Sequence, residues 1–300
     1  MKNEIYVISS NSAIQQNQLK LYGYMFALTV IIGLLGVVIS SHFNFGLTGT
    51  GIFLLVAGII DFVAYYFSDT LVIKSEHAKP ILRETIPAYY DLVEEICKNN
   101  NIKIPKLYMI DSKAINAFAT GRNINKSALI VSKGLLEKLK PEEIKGVVGH
   151  ELAHIESGDM KLMSVLSILV GIISIFSDMF WYSSAVNKAS EKDNSGILVI
   201  VGIILSIFAP LTSLLIKLSV SRTREFTADA RGAELSGNPE YLANALNKIK
   251  HDRIELPHIN SATAHLYIAS PYKNDFIETL FSTHPNIDER IQKLLNMKIN

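Results

Sequence analysis

A single cysteine, Cys97, leaves no partner for an internal disulfide, so nothing ties this 300-residue chain to an oxidising compartment. Cys97 falls in a helical pattern and reads as a small core residue rather than a nucleophile. Charge of one sign is equally scarce. Twenty-nine Lys and Arg face 28 Asp and Glu for a net charge of +1, and no basic run stands out, so nothing argues for a nucleic-acid partner. The first twenty residues are polar, and no cleavable signal peptide is expected there. No internal repeat or low-complexity tract interrupts the chain.

Apolar residues are in excess. They make up 49% of the chain, and the mean hydropathy of +0.25 is high for an ordinary soluble domain. Four runs account for it: Leu21 to Ser40, Phe45 to about Phe67, Leu162 to about Trp181, and Gly196 to Leu215. Each is long enough to cross a bilayer. Asp61 lies inside the second run, either near the interface or facing other helices; the interface is favoured, with Tyr65 and Tyr66 as headgroup-level anchors. The third run carries serines and Asp178, and its alternative is a buried helical hairpin over the rest of the protein.

Lys and Arg are concentrated in Lys74 to Lys161 and after Lys217, and the loops between paired runs carry few or balanced charges. With four spans, the positive-inside rule places both termini and the polar segments in the cytoplasm. The expected division is an N-terminal arm at 1–20, a transmembrane hairpin at 21–67, a first soluble part at 68–161, a second hairpin at 162–215 and a second soluble part at 216–300. In the first soluble part, Ile81 to Asn99 carries helical spacing. Leu107 to Ile110, Asn116 to Gly121 and Ala128 to Val131 read as strands.

The chemistry sits in His150-Glu151-Leu152-Ala153-His154, which reads H-E-x-x-H. On a helix, i and i+4 share a face, so both imidazoles reach one metal ion while Glu151 lies beside them. The flanks favour a helix: Pro141 suits its first position, Glu142 and Glu143 suit the positive end of its dipole, and Gly158 suits its stop. From the composition, such a pattern arises by chance only about 0.02 times. A catalytic zinc site needs a third protein ligand. Glu225 and Asp229, again i and i+4, can supply one carboxylate to the metal and another to orient a ligand histidine.

The motifs INAFATG at Ile115 to Gly121, HELAH at His150 to His154, SRTREFTADA at Ser221 to Ala230 and FSTHPNIDERI at Phe281 to Ile291 resemble those of the HtpX membrane metalloproteases. These are gluzincins related to the CAAX prenyl proteases. One departure is Asn286, where a second proline is common in the family. The resemblance implies one zinc ion per chain bound by His150, His154 and Glu225, with Glu151 as the catalytic carboxylate and Asp229 buttressing a ligand histidine, His150. It also implies that Asn116-Ala117-Phe118 resembles an edge strand that holds an extended peptide by backbone pairing.

The expected chemistry is zinc-assisted hydrolysis of peptide bonds, Glu151 taking a proton from the attacking water and returning it to the leaving amine. From its place in the family-like STHP motif, His284 is the candidate further donor to the developing oxyanion, with a structural loop histidine as its alternative and Arg222 and Arg224 behind it. The remaining histidines, His42, His77, His251, His258 and His265, lack ligand-like spacing and read as ordinary residues.

The expected fold is therefore mainly α, α+β: four transmembrane helices with a gluzincin-like domain carrying a small sheet. His154 precedes Leu162 by eight residues, about 12 Å of helix. The metal is thus expected near the cytoplasmic surface of a cell or inner membrane, with the bilayer and membrane-protein substrates as partners. The resemblance implies a quality-control role on such proteins. No oligomeric state is read from the sequence. The rival readings are a CAAX-type processing protease, a membrane metal carrier and a non-catalytic zinc-binding scaffold.

Overall fold

Two long helices dominate the N-terminal part of the computed structural model, which describes residues 2–187, 222–252, 254, 262–268 and 285–297. Helix α1 (Lys2–His42) and helix α2 (Gly46–Ser75) form an antiparallel hairpin. Their stretches Ile14–His42 and Gly46–Ser75 are long and apolar enough to cross a membrane. Outward-facing Phe26, Leu34, Leu47, Leu55 and Phe62 are exposed, as a lipid-facing surface requires. Helix α1 runs through the polar arm without a break. Asp61 is corrected from the interface to the middle of the hairpin: α2 continues to Ser75, and the Thr29 hydroxyl of α1 donates to Asp61 Oδ2 at 2.7 Å.

Four spans are met only in part. The third run lies in helix α6 (Asp159–Asn187), whose stretch Asp159–Ile175 passes as a span together with α5 (Pro141–Ser157) across a bend of 86°. Leu162, Val165, Leu166 and Leu169 of α6 are buried against Leu21, Leu28 and Ile32 of α1 and Ala57 and Ala64 of α2. This stretch packs as an inner helix. The fourth run lies outside the described residues.

Four strands make a mixed sheet in the order β1-β2-β4-β3. They are β1 (Lys79–Pro80), β2 (Lys106–Ile110), β3 (Ala117–Asn123) and β4 (Lys126–Ser132). Strand β4 runs parallel to β2 and antiparallel to β3, with Phe118 opposite Ile130. Alternation sends Leu129 and Val131 into the helical core and Ala128 and Ile130 onto Val72 of α2. Burial on both faces explains why β4 reads as an unbroken apolar run. The helix expected from Ile81 begins only at Pro87, because Ile86 before the proline is held out of the helical region (φ −140°, ψ 74°) and Ile81 instead donates its N–H to Leu107 O of β2 at 2.8 Å.

After helix α3 (Pro87–Asn99) and the short α4 (Lys133–Lys138), the core is built by α5, α7 (Arg222–Ser236), α8 (Pro239–His251) and α9 (Ile287–Leu295). Asn238 caps α8, its Oδ1 accepting from the Glu240 N–H at 2.9 Å. Leu242, Ala245, Leu246 and Ile249 then place an apolar stripe at i, i+3, i+4 and i+7 against α5. Each fully buried leucine of this core, Leu152 and Leu246 among them, contributes about 1.5–3 kcal/mol.

Helices α5 and α7 touch backbone to backbone. A Cβ on Gly149 would stand 2.4 Å from Gly232 O, and one on Gly232 would stand 2.6 Å from His150 N. Only glycine fits at either position, and this contact brings α7 to the metal-motif helix.

Candidate metal centre

Helix α5 starts as its sequence dictates, with Pro141 in the first turn and the Lys140 N–H bonded to Glu143 Oε2 at 2.6 Å. It stops at Gly158, whose φ of +72° is left-handed backbone. Between these ends His150 and His154 share one face, and their Nε2 atoms lie 3.2 Å apart. Glu225 arrives from α7, with Oε2 3.9 Å from His150 Nε2 and Oε1 3.6 Å from His154 Nε2. Donors about 2.0–2.1 Å from a tetrahedral ion stand about 3.3 Å from one another, so the three residues fit zinc. Two imidazoles and one carboxylate also suit that ion chemically.

Each histidine has a carboxylate behind it. His150 Nδ1 donates to Asp229 Oδ1 at 2.9 Å. Arg290 of α9, wholly buried, clasps the same carboxylate with Nη2 at 2.7 Å and Nε at 2.9 Å. His154 Nδ1 faces Asp159 Oδ2 at 3.3 Å. Burial pushes the His150 pKa down to about 4, leaving a neutral imidazole whose lone pair is free for a metal. Burial also opposes charge on His154, but Glu225 and then Asp159 outweigh it and raise that pKa to about 9. Burial works against the Asp229 carboxylate as well, yet the Arg290 guanidinium holds it far below the usual range.

Glu151, 3% exposed, lines a cleft with His154, Glu225, Ala119, His265 and Leu266. One wall is the β3 edge. Ala117 turns its carbonyl away from β4 and accepts the Ile268 N–H at 2.9 Å. Alternation puts Ala119, two residues on, along the same edge where it borders the cleft. Asn116 and Phe118 do not face that edge: both side chains are buried, and Phe118 packs edge-on against Tyr267 with ring centroids 5.0 Å apart.

The expected group His150, Glu151, His154, Glu225 and Asp229 is thus brought together. His284 lies outside the described residues, as does His258. Arg224 is taken up in an ion pair with Asp159 at 2.8 Å, and Arg222 is exposed. His265 is no part of the donor group; it is buried in the cleft wall, its Nε2 3.2 Å from Met163 O.

Three features went unread in the sequence. Arg290 carried a signal, since it lies in the apolar stripe of Ile287, Ile291 and Leu294, where a charge must be buried with a partner. Asp159 reads in sequence only as an acidic residue at a helix start. Gly232 has no local signature, because what it allows is contact with another helix.

A helix carrying H-E-x-x-H with a carboxylate donor from a second helix defines the zincin class of metal site. The chain belongs to Peptidase family M48, whose sequence pattern matches residues 88–298. It is 39% identical over 285 residues to "Protease HtpX" of Legionella pneumophila (strain Corby), covering 94% of this chain and 99% of that protein. It is also 36% identical over 284 residues to "Protease HtpX homolog" of Methanocaldococcus jannaschii, covering 94% and 97%. A crystal structure of S. mikatae Ste24p is similar over 94% of this chain and 66% of that one, with a TM-score of 0.48 and 20% identity. With its two apolar helices, the chain is a membrane protein of a peptidase family.

Proposed function

We propose that this protein is a zinc-dependent endopeptidase that cleaves membrane proteins, misfolded or damaged ones among them, at segments exposed on the cytoplasmic side of a cell membrane. The observation that carries the reading is the donor triangle of His150, His154 and Glu225, with His154, Glu225 and the buried Glu151 lining one cleft. A zinc ion held by those three residues would polarise the scissile carbonyl and make water a competent nucleophile near neutral pH. Glu151 takes the proton from the attacking water and returns it to the leaving amine. Asp229 and Arg290 keep the His150 imidazole oriented. The β3 edge at Ala119 offers backbone groups to an extended substrate, which sets the peptide across the cleft.

The chain path supports substrates that are themselves membrane-bound. The metal-motif helix passes into α6 after the single residue Gly158, and α6 is packed on the α1–α2 hairpin. The cleft therefore stays close to the segments that enter the bilayer, and the distribution of Lys and Arg favours the cytoplasmic side.

The test is zinc-dependent cleavage by the full chain in detergent, wild type against Glu151→Gln. About one zinc per chain in both is expected, with cleavage reduced about 10²–10⁴-fold in the variant. Equal cleavage by the two proteins would overturn the reading. A membrane-tethered peptide should be cut faster than the same peptide free in solution.

A further inference from the structure

Asp159 stands where α6 meets α5, α7 and α1, of which the zinc-site reading alone connects only α5 and α7. It is the first residue of α6, its side chain 7% exposed. Its two oxygens face different partners. Oδ2 lies 3.3 Å from His154 Nδ1 on α5. Oδ1 accepts from Arg224 Nη1 of α7 at 2.8 Å and from Asn17 Nδ2 of α1 at 2.7 Å. Asn17 is itself buried, and its Oδ1 accepts from Arg224 Nη1, which closes the triangle. The N-terminus of α6 favours an anion at this position.

We infer that Asp159 is the positioning residue for His154 and that Asn17, on the membrane-crossing helix α1, holds Asp159 in place with Arg224, making α1 a working part of the metal site. A carboxylate at Nδ1 fixes the imidazole so that Nε2 carries the lone pair toward His150 and Glu225. It is the counterpart of Asp229 behind His150. Asn17 gives the arrangement its reach: a shift of α1 moves a side chain that bonds both Asp159 and the arginine next to the ligand Glu225. A second contact anchors α1 to the same place. A Cβ on Gly158, at the α5–α6 bend, would meet Ile14 of α1 at 3.3 Å.

This inference rests on the zinc-site reading, and zinc affinity by chelator competition separates the two. The measurement uses the full chain in detergent as wild type, Asp159→Asn, Asn17→Ala and the double variant, with Gln18→Ala on the exposed side of α1 as control. Asp159→Asn should weaken zinc binding about 10–100-fold. Asn17→Ala should weaken it at least about twofold, and by nothing further in the Asp159→Asn background, because its effect runs through that carboxylate. The visible spectrum of the cobalt-substituted protein should change in both single variants and not in Gln18→Ala.

Wild-type affinity in Asp159→Asn, or an Asn17→Ala loss that persists undiminished in the double variant, overturns the inference and leaves the zinc site standing. If Asp159→Asn does not fold, Asn17→Ala against Gln18→Ala decides alone, and equal affinities reject the proposal. A wild-type chain that binds no zinc removes the site and the inference together.

Discussion

Arg290 closes on Asp229 with two nitrogens, Nη2 2.7 Å from Oδ1 and Nε 2.9 Å from Oδ2, while Oδ1 also accepts from His150 Nδ1 at 2.9 Å. The pair is buried, so neither charge has water to fall back on. Arg290→Met strands the carboxylate and should cost about 3–5 kcal/mol of stability. The double variant Asp229→Asn/Arg290→Met should recover much of that loss in denaturant titrations. It should not recover zinc affinity, since His150 still lacks its carboxylate.

The Gly149–Gly232 contact sets how near Glu225 comes to the two histidines. Gly232→Ala introduces a methyl group 2.6 Å from His150 N and must push α7 away from α5. Overpacking of this kind costs about 1–3 kcal/mol. Zinc affinity should fall with it, because the displaced helix carries a ligand. The check is chelator competition alongside thermal unfolding; a stability loss with unchanged affinity would show that the contact does not set the ligand geometry.

Peptide pairing along β3 is tested at Ala119. Proline there removes the edge N–H without disturbing β4, a substitution that sheet edges accept. Ala119→Pro should lower kcat/KM on an extended peptide by up to about tenfold, one lost hydrogen bond, with zinc content unchanged. An undiminished kcat/KM would mean that substrate does not add to this edge.

Asp252, at the end of α8, gives a pH-dependent contribution away from the metal. Its Oδ2 accepts the Ile115 N–H at 2.7 Å and its Oδ1 takes Lys138 Nζ at 3.0 Å, tying α8 to the residues that lead into β3. Burial works against this carboxylate, but the Ile115 N–H and Lys138 outweigh it and hold its pKa below the usual value. A lowered carboxylate pKa stabilises the fold above the unfolded value of about 3.9, and the contribution is lost as pH falls through the folded value. Asp252→Asn should therefore lower stability by about 1–2 kcal/mol near neutral pH. The gap between variant and wild type should stay constant down to about pH 5 and close below about pH 4.

The donor set was legible because it obeys local rules. His150 and His154 share a helix face by the 3.6-residue period, Glu225 and Asp229 do the same, and Pro141 and Gly158 bound the metal-motif helix where their backbone preferences put them. Strands β2, β3 and β4 and the two N-terminal helices follow from local composition and run length, whereas the exposed two-residue β1 does not. The non-helical backbone at Ile86 before a proline is local too, but the helical spacing after Ile81 masks it.

The tertiary structure decided what depends on distant segments meeting. Arg290 reaches Asp229 across 61 residues, Asp159 joins Asn17 across 142, and the Thr29–Asp61 bond places a charge between two helices. No local propensity encodes such pairings, because each side chain is ordinary in its own window and acquires its role from the partner it is buried with. The same holds for the third apolar run. Its composition fits a bilayer, but the hairpin and the sheet bury its described apolar face first. Hydrophobicity determines by itself that a face leaves water; whether lipid or protein receives it is settled only by what else the fold brings alongside.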